Sequence, residues 1–441
     1  MDTPSHFGMG KGRDNAVTGT NNLPSHDALN NSNDQSHNHA VMSSENQEFT
    51  ADGTVNRAPG MKLSNDGLEI QGLDLQNLVA EDVQTILSGI VDILNDPDQQ
   101  DTFLTANCAN PLPTLNLLQV LLDRGDLLPS HRSALMLALT RLAKLTACYP
   151  DSLILSGIQR IGENPVAGGG HADIWKGNLN TSCVAMKVLR IFKHSGREKA
   201  LKDLCHEAVI WRQLKHPNIL PFLGVFKGDG SFDHLCLISP WMDGGNVIEY
   251  LKRNPDVHRL PLLTDVLNGL AYLHSFQTPV IHGNLIGVNI LVTPSQNACI
   301  GGFGQLRFQD YLDYLEDTSD NRIGPLRWQA PELLFTHGET AQPSTETDVY
   351  SFGCLCLELM TGKPPFSEIR PGGAVIRAIV NRKKPKRPSE DLRDRGLDDN
   401  LWSLMTECWD YDPKRRPEIG TLLEFFENRK ELTSEPKIFR G

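Results

Sequence analysis

The feature that most constrains the fold of this 441-residue sequence is a change of pattern after Pro150. Short β-rich segments with glycines come first, and long segments of helical periodicity follow them. Strands in one part and helices in the next are typical of an α+β fold, in which a β-rich layer packs on a helical one. We therefore predict a small β-rich lobe joined to a large α-helical lobe over 151–427, with a C-terminal tail over 428–441.

The N-terminal segment has a different composition. Residues 1–66 are rich in Asn, Ser, Gly, Asp, His and Thr and show no apolar period. Such a composition buries too little apolar surface to offset the entropy of ordering the chain. We predict a disordered tail over 1–66.

Leucines and isoleucines recur at helical spacing between the tail and Pro150, which predicts a small all-α module over 67–150. We expect the third of its helices to start at a Ser130 cap. The predicted helices cover 73–95, 114–125 and 130–149. Two interpretations of the leucine face stay open: a plain core, or a surface that mediates protein–protein contacts.

Charge and cysteine usage exclude several classes of protein. The 42 Lys and Arg residues are outnumbered by 54 Asp and Glu, and the net charge of −12 argues against nucleic acid as a partner. The nine cysteines are scattered singly among apolar residues, as reduced thiols are. No apolar stretch is long enough to predict a membrane span. We expect a cytoplasmic protein, with the nucleus left open.

Short motifs in the second part of the chain resemble those of protein kinases, in the family's order. They are a small-residue loop, a Val-Ala-Met-Lys strand, a helix with a glutamate, a His-Gly-Asn loop, and Gly-Phe-Gly, Ala-Pro-Glu, Asp-Val-Tyr-Ser-Phe-Gly and Arg-Arg-Pro signatures. They lie at 166–177, 184–187, 206–211, 282–291, 302–304, 330–332, 348–353 and 415–417. The closest likeness is to the tyrosine-kinase-like branch of serine/threonine kinases. The resemblance implies a two-lobed kinase fold, with Asp348 bracing the catalytic loop and Glu332 paired with Arg416.

The resemblance fails at the residues that carry the chemistry. Asn284 stands where the family has its catalytic aspartate, and an amide is a poor proton acceptor. Ile286 replaces the catalytic-loop lysine. Pro325 replaces a threonine that, in the family, contacts both that lysine and the catalytic aspartate. Gly302 replaces the aspartate that holds the metal, which leaves Asn289 as the matched metal ligand. We therefore expect Mg²⁺ to bind poorly.

A nucleotide-shaped slot is nevertheless implied. Its lysine–glutamate pair, Lys187 and Glu207, serves either as a phosphate clamp or as a structural ion pair; both interpretations stay open. The remaining matched positions are apolar or contribute backbone groups. They are Val166, Ala167 and Gly169 in the glycine-rich loop, Ile174, Ala185 and Leu291 around an adenine, and Pro240 and Met242 in the hinge.

These observations favour a pseudokinase that scaffolds or allosterically regulates other signalling proteins, for example an active kinase, with ATP as an optional ligand. The alternative is an active or weakly active serine/threonine kinase in which Asp310 or Asp313 supplies the missing carboxylate from an unmatched position. A third hypothesis makes the helical module the functional part and the kinase-like domain its anchor.

Overall fold

A computed structural model describes residues 61–64, 67–70, 80–168, 172–190, 197–230, 232, 234–309, 325–334 and 342–434. Within these residues a helical module precedes a small β-rich lobe and a large helical lobe, which confirms the predicted fold. The predicted disordered tail lies outside the described residues except at its end. There, β1 (Met61–Ser64) pairs antiparallel with β2 (Gly67–Ile70), across the predicted boundary at 66. The sequence analysis did not predict these strands.

The described part of the helical module contains four helices where three were predicted. They are α1 (Ala80–Asn95), α2 (Pro97–Ala106), α3 (Pro111–Leu122) and α4 (Pro129–Thr146). Helix α2 was missed because Asn95-Asp96-Pro97 was interpreted as a stop, whereas it is also a start. Asp96 accepts from the backbone N–H of Asp98 (3.1 Å) and Gln99 (3.0 Å), and Pro97 takes the first helical position, where no N–H is needed.

The predicted Ser130 cap is wrong. Helix α4 begins at Pro129, with Leu128 in the N-cap position, because the fixed φ of proline suits the first helical residue. Helix α3 ends at Leu122, before the predicted Gly125.

The leucine face of the module is core. Its leucines are almost fully buried and belong to the same continuous core as the large lobe. Helix α4 packs against α5 (Arg197–Gln213) of the small lobe, so the chain itself covers this face. Among the described residues the plain-core interpretation is therefore the one that the packing favours. The leucines concerned are Leu115, Leu118, Leu121, Leu122, Leu135, Leu139 and Leu142.

The small lobe is built on a seven-stranded sheet among the described residues. The strands are β3 (Ile154–Leu155), β4 (Ile158–Ile161), β5 (Ala167–Gly168), β6 (Ala172–Leu179), β7 (Ser182–Leu189), β8 (Gly224–Phe226) and β9 (Cys236–Pro240). Their order is β3-β8-β9-β7-β6-β4, and β5 pairs with β6. Side chains alternate along β7. Val184, Met186 and Val188 are buried on one face, which leaves Ala185 and Lys187 half-buried on the other.

Helices dominate the large lobe. They are α6 (Val247–Arg253), α7 (Arg259–His274), α8 (Pro331–Leu334), α9 (Thr345–Thr361), α10 (Gly372–Val380), α11 (Asp399–Cys408) and α12 (Ile419–Ser434). Two short strand pairs join them: β10 (Val280–Ile281) with β13 (Arg307–Phe308), and β11 (Ile290–Val292) with β12 (Ala298–Ile300). Helix α9 is buried along most of its length and lies at the centre of the lobe. Helix α12 continues past the predicted boundary at 427, because 428–434 contain no proline or glycine to end it.

All nine cysteines are free, and six are buried, as the scattered pattern predicts. No helix in the described ranges is both long enough and apolar enough to cross a bilayer.

Candidate functional site

Several of the predicted nucleotide-contacting residues lie on strands β6 and β7 and on the segment that follows β9. Ile174 on β6 lies opposite Lys187 on β7, and Ala185 lies opposite Ser239 on β9. Ile174, Ala185 and Met242 are each partly buried. The strand register thus brings these predicted residues to one side of the sheet.

The hinge connects the sheet to the large lobe. The backbone N–H of Trp241 donates to the carbonyl of Cys183 (3.1 Å), and the N–H of Gly245 donates to the carbonyl of Met242 (2.9 Å). Val292 then donates to the carbonyl of Gly245 (2.9 Å), so the hinge lies beside the strand that carries the partly buried Leu291. The hinge has a further contact, which the sequence did not predict. The ammonium of Lys176 lies 4.7 Å from the centre of the Trp241 ring.

The glycine-rich loop forms the hairpin of β5 and β6. Ala167 lies opposite Ile174, and the N–H of Val166 donates to the carbonyl of Ile174 (2.8 Å). The predicted Gly169 lies outside the described residues. On this hairpin Asp173 pairs with Arg190 of the chain after β7 at 2.5 Å, and a β-carbon at Gly168 would lie 2.8 Å from both side chains. This ion pair fixes the base of the loop.

Lys187 and Glu207 form the predicted ion pair. The Lys187 Nζ lies 2.5 Å from Oε1 of Glu207, whose side chain is only 4% exposed. A β-carbon at Gly304 would lie 3.5 Å from Glu207 Oε2 and 3.6 Å from Lys187 Nζ, so the pair contacts the Gly-Phe-Gly segment. The Trp211 ring on α5 lies 5.0 Å from Phe303 of that segment. Helix α5 is therefore held to both lobes.

Asp348, at the start of α9, holds the catalytic loop as the resemblance implied. Its carboxylate accepts from the backbone N–H groups of His282 (2.8 Å) and Gly283 (2.9 Å). The His282 Nδ1 accepts from the N–H of Asn284 (3.2 Å), so its Nε2 donates to the carbonyl of Gly301 at 2.9 Å. Burial lowers the pKa of His282, which keeps the ring neutral and makes it part of the core.

The catalytic positions of that loop carry no charge. The Oδ1 of Asn284 is buried and accepts no hydrogen bond from the described residues. The amide of Asn289 donates to the backbone carbonyl of Asn284 (2.8 Å). Ile286 is 8% exposed and packs into the core, whereas Val288 is 55% exposed. A neutral amide and a buried apolar side chain therefore stand at the two positions where the resemblance implies charged groups.

Gly302 is closed to a larger residue. Its φ is +76°, a conformation that L-residues rarely adopt. A β-carbon at this position would overlap the carboxamide of Asn289. The space that an aspartate at 302 requires is thus occupied by the one matched metal ligand. The Asn289 Nδ2 donates to Asn284, so its Oδ1 is the one side-chain oxygen that the two matched positions offer a metal, since Gly302 has no side chain. A single neutral oxygen is a poor fit to a magnesium site.

The sequence analysis missed Glu358 on α9. Its Oε2 accepts from the N–H of Gly287 in the catalytic loop (2.9 Å) and from the indole Nε1–H of Trp328 (3.0 Å). Burial raises the pKa of Glu358 to about 7, although both hydrogen bonds oppose the rise. The signal was present in the sequence, because this carboxylate interrupts an apolar run in a buried helix.

The sequence analysis also missed the contacts of the helical module with α5. Gln213 donates through Nε2 to Gln119 Oε1 (2.8 Å) in a buried contact, and Arg212 pairs with Asp123 at 2.9 Å. Side chains of α3 and the residue after it thus bind the end of the helix that carries Glu207. No local pattern predicts such a contact, because its partners are about 90 positions apart in the chain.

The predicted pair inside the large lobe is present. Arg416 donates to both carboxylate oxygens of Glu332, at 2.6 and 2.7 Å, and to the backbone carbonyl of Glu346 (2.8 Å). The Arg416 side chain is fully buried. A bidentate pair of this kind ties α8 to the segment before α12.

Comparison with known proteins identifies relatives of the second part of the chain. Residues 162–426 match the family described as "Protein tyrosine and serine/threonine kinase". The chain is 28% identical over 263 residues to serine/threonine-protein kinase STY46 of Arabidopsis thaliana, covering 59% of this chain and 42% of that protein. It is 29% identical over 266 residues to mouse serine/threonine-protein kinase TNNI3K, covering 59% and 30%.

A third relative, serine/threonine/tyrosine-protein kinase HT1 of Arabidopsis thaliana, is 29% identical over 282 residues, covering 62% of this chain and 67% of that protein. The match spans less than half the length of the first two relatives. The fold, the Lys187–Glu207 pair and the family match, which covers more than half of the sequence, agree. The chain belongs to the family of protein tyrosine and serine/threonine kinases.

Proposed function

We propose that this chain is a pseudokinase, which binds a nucleotide between its lobes and regulates or scaffolds other signalling proteins without transferring phosphate. The observation that carries the proposal is the overlap at Gly302: a β-carbon there would overlap the Asn289 carboxamide. An aspartate at 302 would displace the Asn289 side chain, so restoring the carboxylate would disturb the other matched metal ligand.

The electrostatics of the catalytic loop support the same conclusion. Asn284 offers an amide in place of a base, and the buried Ile286 offers no counter-charge to a phosphoryl group in transfer. Loss of a positioned base costs about 10²- to 10⁴-fold in rate. Bound ATP would supply a transferable phosphoryl group, but these residues leave it without activation.

The base-binding half of the site is better preserved. Ile174, Ala185 and Leu291 would enclose an adenine, while the carbonyl of Pro240 and the N–H of Met242 would bind its edge. Lys187, held by Glu207, would bind phosphate oxygens. Val166 and Ala167 would cover the phosphates from the loop, together with Gly169 outside the described residues. Because the Mg²⁺ ligands are lost, we expect nucleotide binding that does not depend on the metal.

The thermal midpoint of the full chain tests this proposal. Saturation at about 100 Kd contributes roughly 2.7 kcal/mol of stability, so excess ATP should raise the midpoint equally with Mg²⁺ or with EDTA. Lys187→Met should abolish the rise, and Lys252→Met, at an exposed lysine on α6, should preserve it. Phosphate transfer to a generic substrate that is lost in Lys187→Met would overturn the proposal.

A second candidate is a weakly active serine/threonine kinase, which the names of the relatives favour. It needs a carboxylate from an unmatched position, such as Asp310 or Asp313, both outside the described residues. Activity that disappears in Asp310→Asn or Asp313→Asn would support this candidate. No activity in the wild-type chain would exclude it.

We place the protein in the cytoplasm, with the nucleus left open, because nine free thiols suit a reducing compartment. Its partners would be other signalling proteins, for example an active kinase. The third hypothesis, in which the helical module acts by itself, has less support, because that module shares its core with the kinase domain.

A further inference from the structure

A cavity lies where the helical module meets the end of α5 and the end of α7. Its volume is about 420 Å³. Leu127 and Pro129 of the module form one wall, and Tyr272 and Phe276 form the other. Small-molecule sites commonly occupy about 300–1,000 Å³ at contacts between domains, with mostly apolar walls and a few polar groups. This cavity has that size and location.

Two cations on the cavity wall lack a carboxylate partner within the described part of the chain. Arg132 donates only to backbone carbonyls, those of Leu122 (3.3 Å) and Arg124 (3.1 Å). Lys215 is exposed and bonds through its backbone N–H, to the hydroxyl of Tyr272 (2.9 Å), which leaves its ammonium unneutralised. The chain as a whole carries a net charge of −12, so the unpaired cations make this concave surface locally positive on a negatively charged protein.

The other charges at the cavity are already neutralised. Asp123 is the lining residue with a carboxylate, and it pairs with Arg212 at 2.9 Å. Arg124 pairs with Asp126 at 3.0 Å. An incoming anion would therefore meet the free charges of Arg132 and Lys215 without opposition from an unpaired carboxylate on the wall.

The aromatic wall is fixed in place. The Tyr272 ring stacks on His216 with 5.0 Å between centroids and meets the edge of Phe276 at 5.3 Å. Burial raises the pKa of Tyr272, while the hydrogen bond from the Lys215 N–H and the charge of Arg132 oppose that rise. The cavity thus has an apolar, aromatic side and a cationic rim.

A second cavity, of about 380 Å³, adjoins the first and shares Lys215 with it. Arg212 and His216 line this second space. Lys215 therefore stands between two concave surfaces, where its ammonium can reach a ligand in either one.

We propose that the first cavity binds a small organic anion with an aromatic or branched apolar body, whose anionic group lies between Arg132 and Lys215. Neither residue belongs to the nucleotide cleft, so this site is separate from the proposed function. Gln213, the last residue of α5, lines this cavity. A ligand bound there would therefore lie at the end of the helix that carries Glu207.

The test uses the full chain and two matched probes, 4-phenylbutyrate and the neutral 4-phenylbutanol, in ligand-observed NMR titrations at constant ionic strength. We expect saturable binding of the carboxylate and weaker binding of the alcohol. Since an exposed ion pair contributes about 0.2–1 kcal/mol, Lys215→Gln should weaken carboxylate binding by about 1.4- to 5-fold and leave the alcohol unchanged. Lys383→Gln, at an exposed lysine of the large lobe, should change neither.

A cavity-filling variant locates the binding. Ser133 lines the cavity from α4, and Ser133→Phe should abolish binding of both probes. The proposal is overturned if the carboxylate does not saturate, if both probes bind equally, or if Lys215→Gln and Lys383→Gln act alike. Retained binding in a folded Ser133→Phe variant would also overturn it. No nucleotide takes part, so a failure here is distinct from a failure of the pseudokinase proposal.

Discussion

Glu358→Gln should change how the stability of this protein depends on pH. Glu358 is 8% exposed and accepts two hydrogen bonds, from Gly287 and Trp328, through a single oxygen. Glutamine keeps an acceptor oxygen for both donors and has no charge to bury. The substitution therefore removes the ionisation and preserves the contacts between α9, the catalytic loop and Trp328.

The size of the effect follows from the pKa. The pKa of Glu358 rises from 4.5 to about 7 in the folded chain, chiefly through burial. At about 1.36 kcal/mol for each pKa unit, this rise corresponds to about 3 kcal/mol. The folded state binds this proton more tightly, so the contribution of Glu358 to stability is most favourable below pH 4.5 and falls as the pH rises towards 7. Above pH 7 the full cost of the buried carboxylate is present.

Urea unfolding of both proteins at pH 5, 6, 7 and 8 measures this difference. The unfolding free energy of the wild type, relative to that of Glu358→Gln, should fall by about 2.5 kcal/mol between pH 5 and pH 8, because a small part of the cost is already present at pH 5. Other titrating groups cancel in the comparison. Glu424→Gln, at an exposed glutamate on α12, is the control and should leave the profile of the wild type unchanged. Parallel profiles for the wild type and Glu358→Gln would refute the reasoning.

Two further predictions concern backbone space and the module contact. Gly302→Asp should lower the unfolding free energy by about 2–3 kcal/mol, because the new side chain is strained at positive φ and also displaces Asn289. The control is Gly157→Asp, at φ +74° with no atom near its β-carbon, which should show only the loss that the backbone strain causes. Equal losses of stability for the two variants in calorimetry would show that a side chain at 302 has room and does not displace Asn289. Gln213→Leu should lower the unfolding free energy by about 1–3 kcal/mol, because it leaves the buried Gln119 Oε1 without a donor, and Gln119→Leu in the same chain should restore most of the loss. A double variant as unstable as the single one in urea unfolding would contradict this account.

Local patterns predicted much of the fold because they are set by neighbours in sequence. The two lobes, the helical periodicity of the module and the scattered thiols all follow from short-range composition and spacing. The same reasoning failed at helix ends. Asp96 and Pro97 end one helix and begin the next, and Ser130 lost the cap position to the residue before Pro129. Each of these residue types suits two adjacent positions, and only packing selects one.

The candidate site was predictable in part. Its lysine–glutamate pair and the loss of charge at 284, 286 and 302 follow from the spacing of motifs, since the order of kinase signatures constrains which strand or loop each residue occupies. Whether the site could still be rebuilt was not visible in the sequence. That depends on the Asn289 carboxamide, which overlaps the place of a side chain at 302.

The sequence by itself thus determined the family, the architecture and the identity of the missing catalytic groups, because these depend on residue type and order. Tertiary structure alone decided three things: the attachment of the helical module to α5 through Gln119 and Gln213, the shifted titration of Glu358, and the cationic cavity beside Lys215. Each of these depends on burial and on distances between residues far apart in the chain. Such quantities exist only once the chain has folded.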